Sequence, residues 1–286
     1  MMSLPYDLRQ FALRVFHEKQ AADKVRLLNH WRDHPEAFSL DTAAVLTPAS
    51  DQPGRPDRPE LVDPVNVPKR SPHTLAGRAA LMHAICHIEF NAIALALDAV
   101  WRFAHMPEDY YRQWMNVAVE EAMHFGLVQD QLQRMGCTYG EHAAHDGLWA
   151  MCEQTQDDIT ARMALVPRTL EARGLDATPI IQTKLRTLNA PDAQACVAIL
   201  DVILRDEIGH VAIGNHWYHW LCEKQQLDPV EHFRFLHQLH GAPAPKPPLN
   251  WAARRQAGFS DDELTYFSQA AEPRTKPHPV TNTERL

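Results

Sequence analysis

The pattern of hydrophobic and polar positions along this chain is helical over most of its length. Apolar residues recur with helical spacing in four long segments, and nothing between residues 70 and 225 alternates with the two-residue period of a strand. The pattern therefore predicts an all-α fold with almost no sheet.

The breakers between these segments set the expected helix limits. Pro107 favours a helix start, and Gly136 and Gly174 favour helix ends. The chain then resumes a helical pattern after the loop Asn189-Ala-Pro-Asp. The predicted helices are A at 74–105, B at about 107–135, C at about 147–173, a short connecting helix at 178–189, and D at about 191–223.

The flanking regions differ from this central part. Residues 6–31 carry helical periodicity and predict an N-terminal helix, and 228–240 predict one further short helix before a Pro-rich tail. Residues 47–72 hold too many prolines to supply helical backbone bonds, so they predict an extended connector. Four apolar residues of the connector suggest that it packs over the core: Leu61, Val62, Val65 and Val67.

These features divide the chain into three parts. Residues 1–72 hold the N-terminal helix and the connector, and 73–225 form a four-helix bundle. Residues 226–286 hold the C-terminal helix and tail.

Composition narrows the class of protein. The 286 residues are 45% hydrophobic, enough for one domain with long appendages or for two small ones. A net charge of -8 argues against a nucleic-acid binder. No stretch is expected to act as a membrane helix of roughly 20 apolar residues, and no signal peptide is expected at the N-terminus. Five cysteines without Cys-x-x-Cys spacing fit a reducing cytoplasm better than a disulfide framework or a zinc ribbon.

Two Glu-x-x-His segments are the first candidates for chemistry. Glu121 and His124 lie on helix B, and Glu207 and His210 lie on helix D. The i, i+3 spacing puts each pair on one helical face, where one metal ion can take both side chains. The motif alone is weak, because chance gives about one match in such a chain. Both faces are otherwise apolar, however, and burying these polar groups without a partner would be costly. The alternatives are two satisfied core pairs, or helices rotated so that the pairs face water.

Helices A and C each add one matching acid. Glu89 is the only carboxylate on its face of helix A, and Glu171 lies near the end of helix C. The interval from Glu89 to Glu171 is 82 residues, close to the 86 residues from Glu121 to Glu207. This near-repeat of Glu followed by Glu-x-x-His is what a four-helix bundle needs to enclose two metal ions. Four carboxylates and two imidazoles suit iron, or alternatively manganese.

The choice of Glu171 needs a second argument, because periodicity also allows Glu153. Pro167 removes a backbone hydrogen bond just before Glu171 and predicts a helix irregularity there. We therefore predict Glu171 as the ligand, with Glu121 and Glu171 as candidates to bridge the two ions.

Residues beside the predicted ligands suggest supporting roles. Glu120 and Asp206 each precede a ligand Glu and point toward the neighbouring helix. Metal-bound histidines usually donate their second ring proton to a carboxylate or carbonyl, so Asp206 is expected to orient His124, and Glu120 to orient His210. The alternative is that both acids are simply exposed.

Aromatic residues on the ligand-bearing stripe of helix B suggest where a substrate would lie. Trp114 and Phe125 are candidates for a substrate pocket, with ordinary core packing as the alternative. His83 and His87 point away from Glu89 and are expected to be a structural or surface pair.

These motifs resemble the ferritin-like di-iron carboxylate proteins. The segments around Glu89, Glu121, Glu171 and Glu207 are more closely similar to an uncharacterised bacterial family within that superfamily, known only as a domain of unknown function, over most of residues 5–240. The resemblance implies a ferritin-like four-helix bundle and a di-iron site, without an established substrate.

Relatives within the superfamily are separated by what this chain lacks or adds. Val128 stands where ribonucleotide reductase small subunits carry a radical tyrosine, and no Cys-x-x-Cys rubredoxin domain is present, unlike in rubrerythrins. The second complete Glu-x-x-His argues against a storage ferritin. The segment around Glu171 is also similar to tRNA-modifying di-iron hydroxylases, a substrate that the acidic net charge disfavours.

The leading functional expectation is a di-iron oxidoreductase that activates dioxygen, with an unknown small-molecule substrate or oxidant and an electron donor. The first alternative is ferroxidase-like or peroxidase-like metal handling or oxidative-stress protection. The second is a non-enzymatic protein with a structural metal site.

Overall fold

The computed structural model describes residues 6–67 and 71–270 and is all-α, as the hydrophobic pattern predicts. Sheet structure in these ranges consists of the short parallel pair β1 (Tyr6–Asp7) and β2 (Phe38–Ser39) and one isolated bridge. The helices are α1 (Leu8–Phe16), α2 (Ala21–Asp33), α3 (Leu75–Arg102), α4 (Glu108–Arg134), α5 (Gly147–Gln154), α6 (Ile159–Leu165), α7 (Ala172–Arg186), α8 (Pro191–Gln225), α9 (Pro229–Leu239), α10 (Trp251–Gln256) and α11 (Asp261–Ala270).

The N-terminal region holds two helices where the pattern predicted one. α1 packs on α3, and α2 packs on α4, so both cover the central helices. Asp7 caps α1 by accepting a hydrogen bond from the backbone of Gln10. Lys24 of α2 is fully buried and donates to the carbonyl of Phe16, which ties the second helix to the end of the first.

The Pro-rich connector is extended, with one short 3₁₀ turn at Pro64–Asn66. The prediction that its apolar residues pack on the core is wrong for Leu61 and Val65, which are 40% and 85% exposed. Backbone contacts hold it instead. Gly54 donates to the carbonyl of Phe16 at 2.8 Å, and a Cβ at Gly54 would lie 2.2 Å from the carbonyl oxygen of His17.

Helices α3 and α4 match predicted helices A and B, and they pack along each other. α4 ends where predicted, because Gly136 adopts a left-handed φ of 73° that terminates the helix. The expectation that no segment resembles a membrane helix needs correction, since α3 is long and apolar enough by composition. However, 78% of its most apolar stretch is buried within the protein, which identifies α3 as the core helix of this fold.

Predicted helix C is broken in the structure. α5 ends at Gln154, α6 begins after its cap Asp158, and a π-helical segment at Val166–Glu171 leads into α7. Pro167 lies in this π-helical segment, so the irregularity predicted from it is present. The predicted stop at Gly174 is wrong, because α7 continues to Arg186 and includes the segment that we expected to be a separate connecting helix.

Helix α8 matches predicted helix D and contacts α3, α4, α6 and α7. The prediction of one short C-terminal helix is incomplete, because α10 and α11 follow α9. Ser260 and Glu263 form a capping box at the start of α11. The Glu263 carboxylate accepts hydrogen bonds from the backbone N–H and the hydroxyl of Ser260. In return, Ser260 Oγ accepts one from the backbone N–H of Glu263.

Candidate metal centre

Four buried side chains from three helices converge between α3, α4 and α8. They are Glu89 of α3, Glu121 and His124 of α4, and Glu207 of α8. One ligand atom from each lies within 4.8 Å of those of the other three. Oxygen and imidazole nitrogen atoms at such spacing can coordinate a metal ion together.

Glu121 joins this group to a second one around His210. Its Oε2 lies 3.4 Å from His124 Nδ1, and its Oε1 lies 2.9 Å from His210 Nδ1. Glu89 Oε2 is also 3.4 Å from His124 Nδ1, and Glu207 Oε2 is 3.9 Å from His210 Nδ1. The site therefore has two halves, each with one imidazole, and both halves share the Glu121 carboxylate.

Glu171 lies at the end of the π-helical segment, outside the group of four but within the electrostatic reach of Glu121 and His210. Its Oε2 is buried without a hydrogen-bond partner. Glu153, the alternative ligand in the sequence, is exposed and bonded to Gln52, so the geometry supports Glu171.

The expectation that Glu121 and Glu171 bridge two ions stays a prediction. Of the two, Glu121 belongs to the group of four close ligand atoms, and Glu207 is also a member of that group.

Both hydrogen bonds expected for the imidazoles are present. His124 Nε2 lies 3.2 Å from Asp206 Oδ2, and His210 Nε2 lies 2.7 Å from Glu120 Oε2. Carboxylates accept, so each Nε2 carries the proton. In a neutral ring, Nδ1 is then free of a proton and faces the cluster, which is the state a metal ligand requires.

Burial and close neighbours shift the pKa values of the cluster's ionisable side chains. Burial raises the pKa of Glu89 and Glu171 to about 8, and it raises that of Glu207 well above its usual range. Burial lowers the pKa of His124, but hydrogen bonds to Glu121 and Glu89 outweigh it and raise the pKa to about 11. The cluster thus retains protons near neutral pH unless another cation replaces them.

Several ligand atoms make no hydrogen bond in the described part of the chain, although some lie close to one another, as Glu121 Oε1 and His210 Nδ1 do at 2.9 Å. A buried polar atom without a partner costs free energy, and each such atom in a folded protein calls for an explanation. Coordination to metal ions would satisfy all of them. The atoms are Glu89 Oε2, Glu121 Oε1, Glu171 Oε2, Glu207 Oε2 and His210 Nδ1.

The aromatic pocket candidates lie in the core. Trp114 is buried against Tyr110, and Phe125 is buried against Phe90 and Tyr139. One cavity beside α3 and another at the turn between α7 and α8 are lined by other residues. A pocket role for Trp114 and Phe125 stays a prediction.

The two histidines set aside in the sequence also lie away from the cluster. His83 Nε2 accepts from the backbone of Gly140 at 2.8 Å, and His87 Nδ1 lies 2.9 Å from the hydroxyl of Tyr139. Both are buried. They are therefore a structural pair rather than a surface pair.

Sequence reasoning missed the residues behind Glu171. Arg168 is fully buried in the π-helical segment and bonds to Asn215 of α8 and Glu263 of α11. It also lies over the rings of Tyr218, Phe233 and Phe259, at 4.3, 4.9 and 5.1 Å. The capping box Ser260-x-x-Glu263 was the visible signal of the helix that supplies Glu263.

Comparison with known proteins gives a family for this chain. The family model described as "Protein of unknown function (DUF455)" matches residues 17–265. The chain belongs to this family. It is 45% identical over 256 residues to an uncharacterized protein of Haemophilus influenzae, covering 86% of this chain and 88% of that protein. No solved structure matches the chain. The match to the DUF455 family runs from the end of α1 into α11, so it includes every predicted ligand as well as Arg168 and Glu263.

Proposed function

We propose that this protein is a ferritin-like di-iron oxidoreductase that activates dioxygen. The observation that carries the proposal is the convergence of buried ligand atoms without hydrogen bonds from α3, α4, α8 and the π-helical segment. Interior polar groups in folded proteins are normally paired. A cluster of ligand atoms without hydrogen bonds is therefore best explained as a site that binds metal.

Charge balance supports two ions rather than one. The carboxylates of Glu89, Glu121, Glu171 and Glu207 carry four negative charges when ionised, and two divalent cations would offset them while both imidazoles stay neutral. One ion would leave two negative charges in a buried site, which is costly. The sharing of Glu121 between the two imidazoles fits the same stoichiometry.

The oxygen-rich donor set supports iron, with manganese as the second choice. Two ferrous ions held there would supply electrons to dioxygen at an open coordination position. The chain orients the ligands, since Asp206 and Glu120 hold the Nε2 protons of His124 and His210. The Glu120 side chain is half-exposed, so it offers a route for protons between solvent and His210.

A second candidate is ferroxidase-like or peroxidase-like chemistry without an organic substrate. The observation that favours it is that neither cavity described above is lined by any of the six predicted ligands. An oxidant as small as dioxygen or peroxide needs less space than an organic substrate.

The test is anaerobic loading of metal-free protein with ferrous iron, followed by metal analysis and stopped-flow mixing with dioxygen or peroxide. We expect two irons per chain and rapid oxidation by dioxygen. A strong preference for peroxide would favour the second candidate. His210→Ala should abolish the rapid phase, whereas His216→Ala, at an exposed position of the same helix, should not. Unchanged spectra with either oxidant would leave the site structural and refute the oxidoreductase.

A further inference from the structure

A cavity of about 230 Å³ lies between the Pro-rich connector, α3 and the segment after α4. It is smaller than the roughly 300–1,000 Å³ of pockets for drug-sized ligands, so its occupant is small. Phe90 forms an apolar wall, and Pro56, Pro59 and Leu61 of the connector also line the cavity. None of the predicted metal ligands lines it, so it is a separate feature of the molecule.

The hydroxyl of Tyr139 is a hydrogen-bond donor without an acceptor among the described residues. Asn91 Nδ2 lies 3.0 Å from His87 Nε2. With the amide nitrogen of Asn91 in this position, Nε2 accepts and the proton of the neutral imidazole is assigned to Nδ1. His87 Nδ1 then donates to the oxygen of Tyr139 at 2.9 Å. Since the oxygen accepts, the proton of the Tyr139 hydroxyl is left for a ligand. Burial raises the pKa of Tyr139, which keeps that proton in place.

Arg55 supplies positive charge at the same cavity. Its Nη1 pairs with Asp146 Oδ2 at 2.5 Å, and the side chain remains 19% exposed. A guanidinium has five N–H donors, so this pairing leaves donors unused. The field of Arg55 reaches the cavity wall, because after burial it is the largest cause that lowers the pKa of His87 to about 4. His87 is therefore neutral. It connects Asn91 to Tyr139 by hydrogen bonds and does not add a second positive charge to the cavity.

Two exposed acids, Asp57 and Glu60, line the same cavity at its solvent side. A ligand with a second negative charge near the opening would be repelled by them. The two donors therefore suit a single carboxylate, and the ring and proline walls suit an apolar aryl body. We propose that this cavity binds a small aryl monocarboxylate, held by the Arg55 guanidinium and the Tyr139 hydroxyl against the ring of Phe90.

The test is calorimetric titration of the full-length protein with phenylacetate as the probe. Three analogues isolate the recognised features: phenylacetamide lacks the charge, phenethylamine reverses it, and phenylmalonate adds a second carboxylate. We expect saturable binding of phenylacetate, at least about tenfold weaker binding of the amide and of phenylmalonate, and none of the amine. Absence of saturable phenylacetate binding, or equal binding of the amide, would overturn the proposal.

Three variants assign the contacts. Arg55→Gln should weaken phenylacetate binding at least about tenfold and remove the preference over phenylacetamide. Tyr139→Phe keeps the ring and should weaken the binding of both phenylacetate and phenylacetamide by about tenfold. Arg58→Gln, at an exposed position of the same connector, should change neither. If Arg55→Gln fails to fold, Tyr139→Phe and the amide comparison still decide, and unchanged affinity in Tyr139→Phe would refute the site. The result does not depend on metal content.

Discussion

At the scale of single residues, Glu121 is distinguished by having both carboxylate oxygens directed at imidazole nitrogens on different helices. Burial raises its pKa, but the charges of His210 and His124 outweigh burial and hold the pKa well below its usual range. Glu121 therefore stays ionised while its neighbours Glu89 and Glu171 take up protons more easily. The cluster is consequently asymmetric: one permanent carboxylate links two halves whose remaining acids depend on a cation for their charge.

This asymmetry predicts different metal stoichiometries for single substitutions. Glu121→Gln should lower the iron content to less than one ion per chain, because both halves lose a shared ligand. Glu171→Gln should leave about one ion, because only the half around His210 loses an oxygen. Elemental analysis after anaerobic reconstitution measures both. Glu153→Gln is the matched control, and loss of metal in that variant would contradict the choice of Glu171.

The orienting carboxylates give a second prediction. Glu120→Ala should lower metal affinity by about tenfold to a hundredfold, as is typical when the hydrogen-bond partner of a metal-bound histidine is removed. Competition with a chelator of known affinity measures this change. Glu108→Ala removes an exposed acid of the same helix that pairs with Arg112, and it should have no effect. Equal affinities in the two variants would show that Glu120 is merely an exposed acid.

At the scale of helices, the π-helical segment is held from two sides. Arg168 anchors it to α11 and α8 through Glu263 and Asn215. On the other side, Gly214 of α8 lies so close that a Cβ there would be 2.5 Å from Pro167 Cβ. A side chain at this glycine would push the π-helical segment away, and Glu171 ends that segment.

Gly214→Ala should therefore destabilise the protein by about 1–3 kcal/mol, as overpacking does, and should also reduce iron content toward one ion per chain. Gly209→Ala on the same helix meets nothing within 4 Å of its Cβ and should stabilise the protein by about 0.5–1 kcal/mol. Thermal unfolding and metal analysis together check the pair. A Gly214→Ala protein with wild-type stability and two irons would disprove the link between this contact and Glu171.

Sequence reasoning predicted the long helices well and failed where the helices are short or irregular. Helical periodicity predicted α3, α4 and α8, because their buried faces repeat over seven or more turns. It failed at helix C, where short helices and a π-helical segment break the repeat and where Gly174 lies within a helix that packing stabilises. Apolar composition also gave the wrong contacts for the connector. The backbone hydrogen bond of Gly54 holds the connector in place, whereas Val65 is exposed. Spacing and the apolar faces around them identified the two Glu-x-x-His pairs. Pro167 favoured Glu171 over Glu153 in the sequence, and the exposure of Glu153 supports that choice.

At the scale of the whole molecule, buried cations attach the flanking helices to the central ones. Arg9 of α1 donates to the carbonyls of Val100 and Trp101 at the end of α3. Arg254 of α10 pairs with Asp176 of α7 at 2.6 Å. Each attachment buries a charge and satisfies it with a carboxylate or carbonyls from another element, which specifies how that element docks.

Lys24 is another of these buried cations and gives a pH prediction. Burial lowers its pKa to about 7 in the folded protein, from 10.5 when exposed. Below pH 7 both states bind the proton, and the penalty of burying the charge is present in full. Between pH 7 and 10.5 the unfolded state binds a proton that the folded state lacks, so the free energy of unfolding rises with pH through Lys24 by up to about 1.4 kcal/mol per unit.

Lys24→Met should remove this contribution, and it leaves the carbonyl of Phe16 bonded to Gly54. We expect the variant to be more stable than wild type at pH 7 and to lose that advantage as pH rises toward 9. Urea unfolding of both proteins at several pH values measures the difference, and taking the difference cancels the titration of groups that they share. Lys19→Met, at an exposed position before α2, should track wild type throughout. A Lys24→Met advantage that stays constant or grows with pH would mean that Lys24 remains charged in the folded protein.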